Sequence, residues 1–213
     1  MDNVSVIIRN KNEEQYIGFA IQSVIDHLED PEIIVVDNNS VDESLEIVNS
    51  FSLHNNVKVT EMQTYSPGKA LNKAVSQATR ETILILSAHA QITKLNMDYV
   101  KQQLNNNVAV FGKQVPIFRG KKITPRYIWS HFGDRDVINM MSPIEDRQFL
   151  HNAFCFYNRQ FLGEHPFDES LVGKEDRYWA IDVVSNNYTY LYTPVIEVNH
   201  FWTPNGATWK GLD

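Results

Sequence analysis

Hydrophobic positions follow two rhythms along this chain, and the rhythms alternate. Short, nearly unbroken apolar runs occur at VSVII (4–8), EIIVVD (32–37) and TILIL (82–86), with the half-polar VKVTEM at 57–62. Runs of this length predict strands. Between them, apolar residues recur every three or four positions. Ile17, Ile21, Val24 and Leu28 share one helical face, Leu45, Val48 and Phe51 another, and Ala70, Leu71, Ala74, Val75 and Ala78 a third. The punctuation agrees. Ser66-Pro67 sets a capping residue before a proline at the first helical position, and Ser40 with Glu43 has the spacing of a capping box. Such alternation predicts an α/β fold with a mainly parallel sheet covered on both faces. Ligands of these sheets bind at the carboxyl ends of the strands. That singles out residues 9–13, 37–40 and 87–89.

The second half is less regular. VAVFGKQVP (108–116) and FLHNAFCFY (149–157) read as strands, and YTYLY (188–192) with VIEVNH (195–200) as two closing strands. Residues 117–148 are polar, with five arginines and lysines between 119 and 135, and read as a loop with one short helix near 127–132. This loop and the tail TPNGATWKGLD (203–213) are expected to form a mobile lid. After Gly173, Glu175 and Asp176 stand where loop gives way to helix, since Trp179, Ala180, Val183 and Val184 follow at helical spacing. A carboxylate on a first helical turn meets unpaired N–H groups and the positive end of the helix dipole. So placed, it can take a proton from a hydroxyl. First-turn acids are also common where no chemistry occurs, so the pair alone leaves both readings open.

Composition narrows the function. At 213 residues, 43% hydrophobic and 21% charged, the chain reads as one globular domain without repeats or linkers. A net charge of -7 argues against nucleic acid as a partner. The single cysteine, Cys155, allows no internal disulfide and lies in an apolar run, where burial makes it inert. Neither a signal peptide nor an apolar stretch of membrane-spanning length is evident. The expectation is a cytoplasmic protein, with at most peripheral contact at a membrane surface. No G-x-G-x-x-G follows a strand, which speaks against a dehydrogenase.

Five segments in order resemble the family 2 glycosyltransferases, which have the GT-A fold. VSVIIRNKNEEQYIGFAIQSV resembles their first strand, turn and helix, and IIVVDNNSVDES their second strand and acidic turn. SPGKALNKAVSQATRETILIL resembles the helix and strand leading to their metal motif, PFDESLVGKEDRYWA their acceptor-side acid motif, and VIEVNH their late histidine. The match runs from about Val4 to His200. The resemblance implies an inverting transferase that moves a sugar from a nucleoside-diphosphate donor to a hydroxyl of a saccharide or glycolipid. It implies a nucleotide-sugar half over about 1–115 and a smaller, irregular acceptor half over about 116–213. Asp176 is then the base and Glu175 its neighbour in the catalytic pair. Arg9, Asn12, Glu13, Asp37, Asn39, Lys69, Ser87 and Ala88 fall at donor-binding positions. Gln114, Asn152 and Trp179 fall on the acceptor side. Asp37 to Asp42 could equally cap a helix, Lys69 be a solvated lysine, and Trp179 belong to the core.

One departure stands out. Where the family ends its fourth strand in Asp-x-Asp, this chain reads Ser87-Ala88-His89. Hard cations such as magnesium want oxygen ligands, whereas imidazole suits manganese better. Three readings follow. His89 binds a divalent metal together with His200, with manganese favoured over magnesium; or His89, protonated, neutralises the diphosphate; or catalysis is lost and the chain only binds a sugar nucleotide. A nucleotidyltransferase that makes the sugar nucleotide is a further alternative, but it would want a glycine-rich loop where RNKNEE stands.

Overall fold

A computed structural model describes residues 2–204, 206 and 209. The chain runs β1 (Val4–Asn10), α1 (Ile17–His27), β2 (Glu32–Asp37), α2 (Ser44–Ser52), β3 (Val57–Glu61), α3 (Pro67–Gln77), β4 (Thr82–Ser87), β5 (Ala90–Lys94), α4 (Met97–Leu104) and β6 (Ala109–Phe118). Then come the two-residue strand β7 (Lys121–Lys122), a 3-10 turn (Tyr127–His131), and the equally short β8 (Val137–Ile138), β9 (Met141–Ser142) and β10 (Arg147–Gln148). The chain continues with β11 (Phe154–Asn158), α5 (Arg159–Glu164), α6 (Glu175–Ser185) and β12 (Tyr190–Phe201). The main sheet has the order β3-β2-β1-β4-β11-β6-β12-β5. Its first four strands are parallel. β11 enters antiparallel between β4 and β6, while β12 runs parallel to β6 and antiparallel to β5. This is the expected GT-A architecture.

Side-chain alternation explains the two-sided cover. In β1, β2 and β4, residues Val6, Ile33, Val35, Leu84 and Leu86 face α1, α2 and α4, and their alternates Ile7, Ile34, Val36, Ile83 and Ile85 face α3, α5 and α6. Both faces are buried, so these strands read as continuous apolar runs rather than alternating ones. Register then places the polar strand ends together: Asn10 pairs with Asp37, and Arg9 with Ser87.

Several expectations are corrected. The Ser40–Glu43 capping box does not form. α2 starts at Ser44, and Ser40 is drawn off to Asp37. FLHNAFCFY is strand only from Phe154, because residues 152–153 turn their backbone to Asp176 and Ser87. The two closing strands are one, β12, which carries Pro194 through a register shift between Thr193 and Glu197. A bulge is where a strand tolerates proline. β5, α4 and α5 were not foreseen; each is short, and β5 alternates over only five residues. The loop at 117–148 buries Trp129, Phe132 and Met140. Trp209 of the tail is also buried, its ring 4.9 Å from that of Trp129. These aromatics are packed structure rather than a free lid; residues 205, 207, 208 and 210–213 lie outside the described residues.

Candidate active site

Three groups of side chains meet at the carboxyl edge of the parallel strands. The first ties the turn after β1 to the turn after β2. Asp37 is 1% exposed. Its Oδ1 accepts from Ser40 Oγ (2.6 Å) and Asn10 Nδ2 (2.9 Å), and its Oδ2 from the Ser40 N–H (2.9 Å). The Asn12 N–H donates to Ser40 Oγ (2.9 Å), and Asn12 Oδ1 accepts from the Val41 N–H (2.8 Å). Asn12 and Asn39 have φ of 52° and 54°, a region that asparagine enters at low cost. Asn39 Nδ2 donates to the Met62 carbonyl (3.2 Å), and its own carbonyl accepts from Lys11. Asp37 thus takes three donors that hold the turn.

The second group sits at the start of α6. Lys174 adopts a left-handed conformation (φ 60°) and lets the chain turn into the helix. Glu175 and Asp176 follow, both buried. Glu175 Oε1 accepts from Arg9 Nη1 at 2.8 Å, joining the end of β1 to the helix across 166 residues of sequence. Burial would lower the Arg9 pKa, but the charges of Glu175, Tyr65 and Asp176 and the Glu175 hydrogen bond together outweigh it and hold the guanidinium charged. Asp176 Oδ2 accepts from the Asn152 N–H (3.0 Å) and Arg177 Nη1 (2.8 Å), and Oδ1 from the Arg177 N–H (2.9 Å). Arg177 is itself buried. It donates to the Leu150 carbonyl (2.7 Å), lies 4.3 Å over the Phe149 ring, and has Glu145 at 3.7 Å.

The third group is a run of histidines. His89, just past β4, donates from Nδ1 to Glu13 Oε1 (3.2 Å). Its ring centre is 4.8 Å from that of His200 on β12. His200 bonds through Nδ1 to Gln114 Oε1 (2.8 Å), and Gln114 Nε2 donates to His151 Nδ1 (3.1 Å). Trp129 packs edge-on against His200 at 4.9 Å. Burial pulls His200 well below its ordinary pKa, and the charges of His89 and His151 add to this. His200 Nε2 is buried with no hydrogen-bond partner. Among the described residues, no group of three or more His, Cys, Asp or Glu side chains could hold a metal by itself.

The remaining candidates scatter. Ser87 ends β4, and Ala88 is buried in the core. Lys69 lies exposed on the first turn of α3. Asn152 is buried; its Oδ1 accepts from Tyr157 Oη (2.5 Å), and its Nδ2 has no partner. Gln114 is buried and committed at both ends of its amide to histidines. Trp179 belongs to the core: it is 4% exposed, donates to the His165 carbonyl (2.7 Å) and packs on Tyr157 and Phe167, so its ring is not free to wall an acceptor. Arg177 escaped the sequence reading. Its signal was its place directly after two acids in a segment otherwise turning apolar.

A comparison with family models supplies the decisive observation: residues 5–165 match the model described as "Glycosyl transferase family 2". The chain belongs to glycosyl transferase family 2. Among curated proteins similar to this chain, the minor teichoic acid biosynthesis protein GgaA of Bacillus subtilis (strain 168) is 32% identical over 188 residues, 81% of this chain and 41% of GgaA. The poly(ribitol-phosphate) beta-N-acetylglucosaminyltransferase TarS of Staphylococcus aureus is 31% identical over 116 residues, 52% of this chain and 19% of TarS. The chain therefore spans well under half the length of these relatives. Solved structures share the fold. TarS 1–349 in complex with UDP-GlcNAc superposes with a TM-score of 0.73 at 22% identity, covering 98% of this chain and 61% of that one. GalNAc-T7 with UDP, GalNAc and Mn2+ superposes with a TM-score of 0.75 at 17% identity, covering 96% and 44%. No helix among the described residues is long and apolar enough to cross a membrane.

Proposed function

We propose that this family 2 chain transfers a sugar, with inversion, from a nucleoside-diphosphate donor to an acceptor hydroxyl in the assembly of a cell-surface polysaccharide or glycoconjugate. The observation that carries the reading is the setting of Asp176. Two donors saturate Oδ2 and one backbone N–H fixes Oδ1. A carboxylate offers about four acceptor positions, so one on Oδ1 stays open to receive a proton. In the transfer, the acceptor oxygen bonds to the anomeric carbon and gives its proton to Asp176 Oδ1. The bond from that carbon to the diphosphate breaks on the opposite face. Glu175, clamped by Arg9, orients the acceptor side of the groove. Lys69 and the histidines lie on the diphosphate side. Asn12, Asn39 and the Asp37-held turn shape the nucleotide end.

The Ser87-Ala88-His89 segment stands in place of a carboxylate motif in this reading. The unpartnered Nε2 of His200 fits a divalent cation with nitrogen preference. His89 and His200 would hold the ion, with diphosphate oxygens completing the shell. The ion would supply charge that stabilises the leaving diphosphate. Manganese suits this donor set better than magnesium, and two related structures carry Mn2+. The names of the relatives support a uridine nucleotide as the first donor to test and a teichoic acid or similar polymer as the acceptor. A donor half over about 1–115, an acceptor half beyond it and a cytoplasmic place belong to the same reading.

The test is Asp176→Asn. Transfer should fall by roughly 10²–10⁴-fold, the usual cost of losing a general base, while nucleotide binding, followed by calorimetry, persists. A variant that keeps more than about a tenth of the wild-type rate would sink the assignment. A wild type that binds nucleotide sugar but transfers nothing to any acceptor would leave only a binding module.

A further inference from the structure

Gln114 and His151 reach His200 through a chain of hydrogen bonds, and they decide which nitrogen of His200 carries its proton. The reasoning starts from the one donor in the chain that cannot change. The backbone N–H of Ala153 donates to His151 Nδ1 at 3.2 Å. An imidazole nitrogen that accepts is unprotonated, so Nδ1 of His151 is bare. The Gln114 group facing the same atom at 3.1 Å must then be its NH2, because an amide oxygen there would oppose a lone pair. That choice turns the Gln114 carbonyl oxygen toward His200. At 2.8 Å from Nδ1, the oxygen can only accept, so His200 carries its proton on Nδ1. His200 Nε2 is left as a lone pair, buried and without a partner. A protonated Nε2 there would be a buried donor with nothing to meet it.

We infer that Ala153 N–H, His151 and Gln114 form a relay that fixes His200 as its Nδ1–H tautomer and so presents Nε2 to a divalent cation bound with the nucleotide. Gln114 and His151 are positioning residues here, acting only through His200. The inference rests on the proposed reading of His200 as a cation ligand and adds a reason why it ligates through that nitrogen. His89 follows the same logic on the other side: the Glu13 carboxylate accepts from its Nδ1, which leaves its Nε2 as the available nitrogen. Hydrogen-bonded partners of this kind, placed behind a ligating histidine, set its tautomer and raise its basicity. A relay of three groups is more than packing requires, since an apolar residue of similar size at position 114 would fill the same space. The amide supplies what such a residue could not, opposite hydrogen-bonding characters at its two ends.

The test combines a spectroscopic and a binding readout. Long-range ¹H–¹⁵N NMR on the uniformly labelled chain should show His200 as a single Nδ1–H tautomer and His151 as Nε2–H. Binding of Mn2+ in the presence of UDP should be followed by the EPR signal of free Mn2+. Gln114→Leu should lose the single His200 tautomer and weaken Mn2+ by roughly 10–100-fold, the cost usual for removing such a partner, while UDP affinity in chelator stays as in the wild type. Gln114→Glu, which keeps an oxygen toward His200 Nδ1 but loses the donor to His151, should keep His200 as its Nδ1–H tautomer. It also serves as the control should Gln114→Leu fold poorly. A bare Nδ1 on His200 in the wild type, a Gln114→Leu protein with unchanged tautomer or unchanged Mn2+ affinity, or a wild type that ignores Mn2+ would each overturn the inference. Failure of the transferase reading shows separately, as no UDP binding or no transfer whatever the tautomer of His200.

Discussion

Arg9 and Arg177 divide the two first-turn acids of α6 between them. Glu175 faces a guanidinium that is 26% exposed; Asp176 faces one that is 7% exposed. Arg177→Met should cost about 3–5 kcal/mol, because it leaves a buried carboxylate short of its charged partner. Urea unfolding would measure this, and a loss below about 1 kcal/mol would show that the pair is not held as described. Arg177→Lys should recover only part of the stability, since one ammonium cannot stand in for Nη1, which serves Leu150 and Asp176, and Nη2, which faces Glu145. These contacts were hidden in the sequence for a physical reason. Arginines on helices are exposed by default, and what buries Arg177 is Phe149 and Glu145, from a stretch without periodicity. Asp37 shows the converse. Its place at a strand end was legible, but its full enclosure by Asn10 and Ser40 was not.

Between elements, α3 packs tightly against the segment that leads into α6. Ser66 Oγ donates to the Glu169 carbonyl (2.7 Å), and Asn72 exchanges hydrogen bonds with the Phe167 backbone (2.9 and 3.0 Å). Gly68 lies at the contact, and a Cβ there would stand 2.4 Å from the Asp168 carbonyl oxygen. Gly68→Ala should therefore cost roughly 1–3 kcal/mol, the range for forced overpacking. The helix propensity gained, about 1 kcal/mol, works in the opposite direction. A variant as stable as wild type in thermal unfolding would mean that the helix can slide off the segment. The elements that were legible, β1 to β4 with α1 and α3, are those whose both-face burial or capping chemistry is local. β5, α4 and α5 were missed because each is short and takes its stability from packing against distant strands. The single course of β12 was missed because Pro194 reads as a break until a bulge accommodates it.

At the scale of the molecule, two forces should show in stability measurements. Glu32, 1% exposed at the edge opposite the site, accepts from Ser5 Oγ (2.6 Å), the Thr79 N–H (2.8 Å) and Lys58 Nζ (2.8 Å). Burial would raise its pKa, but Lys58, Ser5 and Thr79 outweigh that and bring it from 4.5 to about 2. The unfolded chain thus takes up this proton first, so the contribution is complete above about pH 4.5 and is lost as pH falls toward 2. Urea midpoints should drop across that window, and Glu32→Gln should lower the neutral-pH midpoint while flattening the drop. An equally steep acid loss in the variant would place the effect elsewhere. Ligand should act in the other direction. A nucleotide sugar with Mn2+ at about 100 times its Kd adds about 2.7 kcal/mol, or roughly 5–10 °C in Tm for a chain of this size. If His89 and His200 hold the ion as proposed, manganese without nucleotide should add little, because two histidines would fill only two of about six positions. The order of strands carries one more consequence. Among the described residues, β5, which follows directly on His89, pairs with no strand but β12, about a hundred residues later. On the ribosome, at about 5–20 residues per second, the His89 side of the groove must wait several seconds or more with an open strand edge before His200 emerges to close it. An unpaired edge of this kind invites pairing with other chains. The strand that carries His200 therefore also closes an edge on which the nascent chain is open to aggregation.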